Sequence, residues 1–555
     1  MNARRRELHR TLGGLGFTRD ASTIIGIRYT GSLSVAGKSI HVGIVFDDLE
    51  FARLPRLQLL KPREDAPQLL AHIQADGEYC YANRDRHLVD RYKIPSAVAT
   101  SLEMMRSSLE RSQTSHAAAE IVAEFPQHWF GSTVFLDLES NSSRRAILYR
   151  LIRHDGSYSD LIADSERLLS FLTPKRPTSE EPIEIVRCKW PLAFQTNQNR
   201  PQTFADFLDW LGSIDGGVAT EALSRAQNSY PRKPLLLVVA PNGAVGIRLE
   251  FVPAWWKAIT RPQALAHYVD KKRSDLRVTR FTGEPIDPTF IYTRNLTMSG
   301  NLVGKRIALV GCGTIGSHLA KMLAQSGGGH GENGRLTLFD QQKLRAGNIG
   351  RHLLGLPDVG RAKAIAVSDT LSKTYPEIDT SGFDTDILQR LSKLDDYDLV
   401  IDATGDEGVT NAINTHFVEL RMVGATCPPT IFVWLFGNGA AAQALCTTSL
   451  SDACYRCLRP DHGGPWRFSP LKSDYSAEEV PAQCGEGPFF PYGVAAPVTA
   501  AALALQLALD WAKGNASPKL RTQLIAVDMT RQVHDKDPQK SARCPACGAE
   551  HSLGQ

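Results

Sequence analysis

Hydrophobic and polar positions along this chain fall into two rhythms. Near the N-terminus, TIIGIRYT and SIHVGIVF alternate with the period of half-buried strands. RRAILYRLI, PIEIVRCKW and PLLLVVA repeat the strand-like character farther along. The opening MNARRRELHRTLGGLGF and the later AVATSLEMMRSSLERS carry helical spacing instead. Beyond about residue 296 the order becomes regular. Apolar strands RIALVG, RLTLFD and DLVIDAT alternate with helices SHLAKMLAQ and AKAIAVSDTLSK. That is the βαβ order of a mostly parallel sheet covered on both faces. The pattern predicts three regions: an α+β region over 1–130, an α/β linker or adaptor over 131–295, and an α/β Rossmann-like domain over 296–555. TPKRPTSEEP (173–182) reads as an exposed loop.

Composition narrows the class. The chain has 555 residues, 42% hydrophobic and 22% charged, with a net charge of +4. So small a charge gives no electrostatic reason to expect nucleic acid or an anionic membrane as partner. The most apolar run, VAAPVTAAALALQLALDWA (494–512), is interrupted by Pro, Thr, Gln and Asp, and its alanines suit a helix packed on protein. The N-terminus has no signal-peptide core, so a cytoplasmic protein is expected. Ten cysteines at this length make no disulfide framework. They are expected to be packed, metal-binding or catalytic.

IALVGCGTIGSH (307–318) places Gly311, Gly313 and Gly316 in a G-x-G-x-x-G turn between a strand and a helix. Such a turn lets backbone N–H groups and the helix N-terminus meet a phosphate. It does not distinguish NAD from ATP. Asp340 ends the next strand, where a carboxylate accepts ribose hydroxyls of either nucleotide. Asn348, Arg351 and Lys363 then follow in AGNIGRHLLGLPDVGRAKA, a donor set dense enough to neutralise several phosphates. Asp402, in DLVIDATGDEGV, stands where a carboxylate can hold Mg²⁺ on a triphosphate, with Asp406 as a lesser candidate.

In this order the residues resemble the ThiF-type adenylating domain of ubiquitin-activating enzymes and of thiamine- and molybdopterin-pathway adenylyltransferases. The resemblance covers about 300–530. It implies that Gly311, Gly313, Gly316, Asp340, Asn348, Lys363 and Asp402 bind ATP and Mg²⁺. Arg351 then stabilises charge as a protein C-terminal carboxylate attacks the α-phosphate. Many members carry D-x-x-D at the metal strand, where Gly405 stands here.

Two C-x-x-C pairs, Cys454/Cys457 and Cys544/Cys547, have the form of a structural four-cysteine zinc site that clips the chain's end to the domain. A redox C-x-x-C is the alternative. Cys312, Cys427 and Cys446 lie in or near apolar strands and are expected to be packed. Cys484, in VPAQCGEGPFFPYG, is a lone thiol in a loop ahead of an Ala-rich helix. The ThiF resemblance implies that it takes the activated acyl group as a thioester.

At the N-terminal end, LLAHIQADGEYCYANRD holds Cys80 with His72 ahead of it. The surrounding pattern resembles the active-site region of ubiquitin-conjugating domains, with DG-x-x-C at the cysteine. The resemblance puts His72 where those enzymes place an Asn that polarises the thioester. Tyr79 and Tyr81 flank the thiol and would equally suit a buried cysteine. Asp85, His87 and Asp90 are candidates for orienting an incoming amine.

Together the two ends resemble the fused conjugating–activating enzymes of bacterial anti-phage operons of the CBASS type. The implied relay runs from adenylation to a thioester on Cys484, then to Cys80, then to a target amine. The implied partners are a protein with a flexible C-terminal tail (a cyclic-nucleotide synthase or a ubiquitin-like protein) and a second copy of the chain in a homodimer. A sulfur-carrier adenylyltransferase with an inert N-terminal extension is the alternative. An NAD-dependent oxidoreductase is a more distant one.

Overall fold

The computed structural model describes residues 3–20, 26–60, 77–82, 89–112, 114–138, 142–194, 200–294, 300–375, 377–480 and 490–548. Two compact units emerge. One holds residues 1–166 and 172–286, the other 167–171 and 287–555.

The first unit begins with α1 (Ala3–Gly14) and an antiparallel meander. Its strands are β1 (Thr18–Asp20), β2 (Ile27–Val35), β3 (Lys38–Phe46), β4 (Arg56–Leu59) and β5 (Glu78–Tyr79), neighbours in chain order. Period-two alternation sends Tyr29, Val42, Ile44 and Leu57 to one face. Helix α2 (Ile94–Arg111) covers that face with Ala97, Val98, Met105 and Leu109.

The same unit then closes a seven-stranded barrel. Its strands are β6 (Ser132–Asp137), β7 (Arg145–Ile152), β8 (Tyr158–Ala163), β9 (Ser179–Arg187), β10 (Leu235–Ala240), β11 (Gly243–Glu250) and β12 (Arg277–Pro285). Their order around the barrel is β10-β11-β12-β6-β8-β7-β9. Helices α3 (Phe204–Ile214), α4 (Gly216–Gln227) and α5 (Pro262–Lys272) pack Phe207, Trp210, Ala222 and Leu265 on its outer face. The segment 173–182, expected to be an exposed loop, is partly strand. Thr173 is buried, and β9 starts at Ser179, pairing with β7. Its polar residues sit on a face turned to solvent, so composition hid the pairing.

The second unit is a seven-stranded sheet. β13 (Arg306–Val310), β14 (Arg335–Phe339), β15 (Thr380–Phe383), β16 (Leu399–Asp402), β17 (Thr430–Phe436), β18 (Ala441–Thr447) and β19 (Leu520–Leu524) lie in the order β15-β14-β13-β16-β17-β18-β19. The first five run parallel and β18 and β19 antiparallel to their neighbours. Alternation again divides each strand. Ile307, Leu309, Leu336 and Leu338 face α6 (Thr314–Gln325), α7 (Lys363–Thr374) and α9 (Ala495–Ala512). Ala308, Val310, Val400 and Phe432 face α8 (Glu407–Met422). α9 is long and apolar enough to cross a membrane by composition alone. Here it packs Ala500, Ala501, Ala504 and Ala508 into the core, where small side chains let helix and sheet approach closely.

Candidate functional site

At the carboxyl ends of β13, β14 and β16, the three glycines of the turn have separate tasks. Gly311 has φ +87°, and a Cβ there would lie 2.8 Å from the Thr404 backbone. A Cβ on Gly316 would lie 1.8 Å from the Gly311 carbonyl oxygen, so only glycine lets α6 start this close to the strand. A Cβ on Gly313 meets nothing within 4 Å. Gly313 opens the way to α6, whose N-terminus has no side-chain cap, leaving first-turn N–H groups available to an anion.

Asp340 follows β14 directly. One carboxylate oxygen accepts from the Cys312 N–H at 2.7 Å and the other from the Gln342 N–H at 2.7 Å. The carboxylate thus braces the glycine turn. Cys312 is fully buried, and burial pushes its thiol well up, so it is a packing residue of the turn.

Lys363 is the first residue of α7 and is buried. Its Nζ donates to Gln342 Oε1 at 2.8 Å. Burial pulls the ammonium below the usual lysine range, with Asp340 opposing. A buried cation with so little compensation is disposed to take an anionic partner. Arg351 lays its guanidinium over the Tyr492 ring, 5.1 Å from the centroid, and its buried Nε has no hydrogen-bond partner among the described residues. Asn348 caps its own turn, accepting the Arg345 N–H at 3.0 Å.

Asp402 is more enclosed than its position in the sequence suggests. Oδ1 accepts from the Thr404 N–H at 3.0 Å and the Thr404 hydroxyl at 2.7 Å, while Oδ2 accepts from the Thr410 hydroxyl. Burial raises its carboxyl, and these hydrogen bonds oppose the rise. Asp402 therefore ties the strand end to α8. Asp406 is exposed and caps α8 through the Gly408 and Val409 N–H groups. Gly405 between them has φ +66°, which accounts for a glycine where an acidic residue was looked for.

Four residues that sequence reasoning passed over hold this site together. His352 Nδ1 accepts the Leu354 N–H at 3.1 Å, so Nε2 carries the proton and donates to the Cys312 carbonyl at 2.8 Å. Burial lowers its affinity for a second proton. Ser317 Oγ accepts the Leu353 N–H. The Tyr492 hydroxyl meets the Thr314 hydroxyl at 3.0 Å, and Gln342 receives Lys363. His352 stands inside the NIGRH run and was within reach. Tyr492 meets its partner across 178 positions, and no local pattern announces that.

The cysteine pairs converge. Cys454, Cys457, Cys544 and Cys547 are buried with their sulfurs within 4.8 Å of one another. Individual separations are 3.8, 3.6 and 3.4 Å. Sulfurs bound tetrahedrally at the zinc–thiolate distance would stand about 3.8 Å apart, so the donor set fits the ion. The Ser541 N–H points at Cys457 Sγ (3.4 Å), and Arg467 donates to the carbonyls of Cys457 and Gln539, joining the two knuckles.

In the first unit, Cys80 follows β5. Alternation turns Tyr79 and Tyr81 inward. The Tyr79 hydroxyl meets Ser108 on α2 at 3.1 Å and the Tyr81 hydroxyl donates to the Pro55 carbonyl at 2.7 Å. The two anchored rings leave Cys80 exposed, contrary to the buried thiol that they also suggested. Asp90 opens the turn before α2, accepting the Tyr92 N–H at 3.1 Å. His72, Asp85, His87 and Cys484 lie outside the described residues.

Comparison with known proteins adds two regions of kinship. Residues 297–549 match the ThiF family and residues 17–133 match prokaryotic E2 family B. The ATP-dependent ubiquitin transferase-like protein Cap2 of Pseudomonas aeruginosa is 29% identical, over 90% of this chain and 91% of its own. The protein of that name from Vibrio cholerae is 25% identical over 91% and 94%. The solved structure of Escherichia coli MccB with MccA-N7isoASN overlies 44% of this chain and 68% of its own, at 19% identity and a TM-score of 0.34.

Proposed function

The chain is a fused E2/E1-like protein, a ThiF region joined to a prokaryotic E2 family B region, and from that premise we propose that it activates a protein C-terminus with ATP and conjugates it to an amine in anti-phage defence. The supporting observation is an exposed thiol, Cys80, in the same chain as a glycine turn that faces a buried lysine, Lys363, and the half-buried Arg351.

Three parts carry the work: 1–130 conjugates, 131–295 connects, and 296–555 activates. The first-turn N–H groups of α6, reached past Gly313, together with Lys363 and Asn348, bind the triphosphate. Gly311 and Gly316 hold the turn in shape, and Asp340 trades its Cys312 and Gln342 contacts for ribose hydroxyls. The substrate carboxylate attacks the α-phosphorus, forming an acyl–phosphate bond and releasing pyrophosphate. Arg351, steadied on Tyr492, neutralises the charge that accumulates there. Asp402 would hold the Mg²⁺ that accompanies the triphosphate, and the ion would lower the charge gathered there.

The Cys484 thiolate next attacks the acyl carbon and AMP leaves. Cys80 attacks that thioester, regenerating the Cys484 thiol, and a target amine then displaces Cys80 to give an amide. His72 stands close in sequence to Cys80, and its role is to polarise the thioester carbonyl. Zn²⁺ on Cys454, Cys457, Cys544 and Cys547 is structural, since four thiolates leave no open position. The activated protein is a cyclic-nucleotide synthase or a ubiquitin-like protein, and the enzyme works as a homodimer.

The test is incubation with ATP, Mg²⁺ and a candidate tailed protein, followed by non-reducing gels of wild type, Cys80→Ala and Cys484→Ala. Wild type should show a thiol-sensitive adduct, Cys484→Ala none, and Cys80→Ala an adduct but no final conjugate. An unchanged final product in Cys80→Ala would instead favour a sulfur-carrier adenylyltransferase with an inert N-terminal extension.

A further inference from the structure

The turn joining β17 to β18 reads Gly437, Asn438, Gly439 and Ala440. Its glycines permit close approach. Gly437 has φ +55°, and a Cβ on it would lie 2.5 Å from the Tyr475 hydroxyl. Gly439 has φ +75°, and a Cβ on it would lie 2.9 Å from the Cβ of Tyr492 and 2.7 Å from that of Ala496. The turn is pressed against two pieces of chain that flank Cys484 in sequence.

Between the glycines, Asn438 ties those pieces together. Its Oδ1 accepts from the Tyr475 hydroxyl at 2.7 Å and from the Glu478 N–H at 2.8 Å. Its Nδ2 donates to the Glu478 carbonyl at 2.8 Å and to the Pro491 carbonyl at 3.3 Å. Peptide carbonyls only accept and a peptide N–H only donates, so these partners fix which end of the amide faces which. A side-chain amide offers two donors and two acceptor sites, and all four are used here. The Asn438 N–H adds a bond to the Tyr475 hydroxyl at 2.9 Å. A turn asparagine ordinarily bonds its own turn. This side chain instead reaches residues 37, 40 and 53 positions away.

Glu478 and Pro491 are the two ends of the segment that contains Cys484. The exit end leads to Tyr492, whose hydroxyl meets Thr314 at the start of α6 and whose ring lies under Arg351. One side chain therefore holds entry to exit and sets the exit against the nucleotide site. Pinning both ends of a segment sharply cuts the volume its middle can sample. We propose that Asn438 is a positioning residue for acyl transfer to Cys484: by clasping Glu478 and Pro491 it keeps the thiol within reach of the adenylate and takes no part in adenylation. In the step it serves, the Cys484 thiolate forms a C–S bond to the acyl carbon as the C–O bond to AMP breaks. The assignment rests on the thioester reading above and adds what holds the nucleophile in place.

The probe is a Gly-Gly-Gly adenylate mimic in which a vinyl sulfonamide replaces the acyl phosphate, so that its vinyl carbon captures a thiolate able to reach the acyl position. The full chain is used, and peptide mass spectrometry follows the adduct on Cys484 against probe concentration. In Asn438→Ala the maximal rate should fall roughly ten- to hundredfold, the effect of misplacing a reacting group by about 1 Å. The half-saturating concentration, the affinity for a non-hydrolysable ATP analogue and the alkylation of Cys484 by iodoacetamide should not suffer. Asn438→Asp keeps both accepted bonds and loses both donated ones. It should show the same fall, and it serves if alanine destabilises the hairpin. A wild-type maximal rate in both variants would overturn the assignment. So would an equal fall in iodoacetamide alkylation, which would make Asn438 a determinant of thiol reactivity, or a rise in the half-saturating concentration alone, which would place it in nucleotide binding. No adduct on Cys484 in the wild type would remove the thioester reading itself, and the role of Asn438 with it.

Discussion

Two alanine substitutions in one turn should fail in opposite ways. In Gly316→Ala the new Cβ lands 1.8 Å from the Gly311 carbonyl oxygen and 2.8 Å from its carbon. Both atoms belong to backbone, so no side chain can swing aside. The oxygen contact is roughly 1.5 Å shorter than ordinary van der Waals separation, and α6 must back away from β13 by about that distance. α6 carries Leu319, Ala320 and Leu323 into the main core, so its retreat unpacks them as well. Overpacking of this kind costs about 1–3 kcal/mol, with a backbone clash toward the upper end. For a unit of this size that amounts to roughly 5–10 °C in melting temperature.

In Gly313→Ala the Cβ meets nothing within 4 Å and φ is −73°, so the fold should melt within about 2 °C of wild type. The methyl instead occupies the space that a phosphate needs. Losing one charge-assisted contact to that phosphate weakens ATP binding by roughly ten- to a hundredfold. Differential scanning calorimetry and titration with a non-hydrolysable ATP analogue separate the two effects. Wild-type ATP affinity in Gly313→Ala would place the phosphates elsewhere. A wild-type melting temperature in Gly316→Ala would refute the close-packing account of the turn.

Further outcomes follow from other parts of the molecule. Removal of zinc by a strong chelator, or Cys544→Ser, should release the C-terminal segment to proteolysis and lower the melting temperature by several degrees, and metal analysis should give one zinc per wild-type chain. Brief alkylation under native conditions should modify Cys80 and spare the buried Cys188, Cys312 and Cys446, as read by peptide mass spectrometry; prompt labelling of Cys312 would contradict the packed turn. His330 is buried against Tyr292 (4.0 Å between rings), and burial pushes its imidazole down to about 4. Between about pH 6.5 and 4 the unfolded chain binds a proton that the folded one does not, so this contribution is whole above 6.5 and is lost as pH falls toward 4. His330→Phe keeps the stack and should remove on the order of 2–3 kcal/mol of acid sensitivity from urea unfolding over that window; an unchanged slope would show that His330 does not titrate as described.

Much of the ThiF region could be read from the chain alone, because its signals are local. A glycine turn declares itself by spacing, since the backbone conformations it needs exclude other residues at Gly311 and Gly316. Fully buried parallel strands declare themselves as unbroken apolar runs. Two C-x-x-C pairs name a metal site because few other ligand sets have that form. The tertiary structure decided what depends on distant partners. Only packing on Ser108 and Pro55 shows that Tyr79 and Tyr81 point inward and turn Cys80 out. Only closure of β6–β12 shows a barrel where the pattern suggested an α/β linker or adaptor, because strand order is not encoded in any one strand. Asp402 looked like an open ligand at a strand end, and two threonines enclose it. Arg351 looked like one loop cation among several, and Tyr492, from the far side of the region, gives it a fixed seat. Sequence determines which groups are present and their local geometry, whereas exposure, pairing and enclosure belong to the fold, because each is set by residues that meet only once the chain has closed on itself.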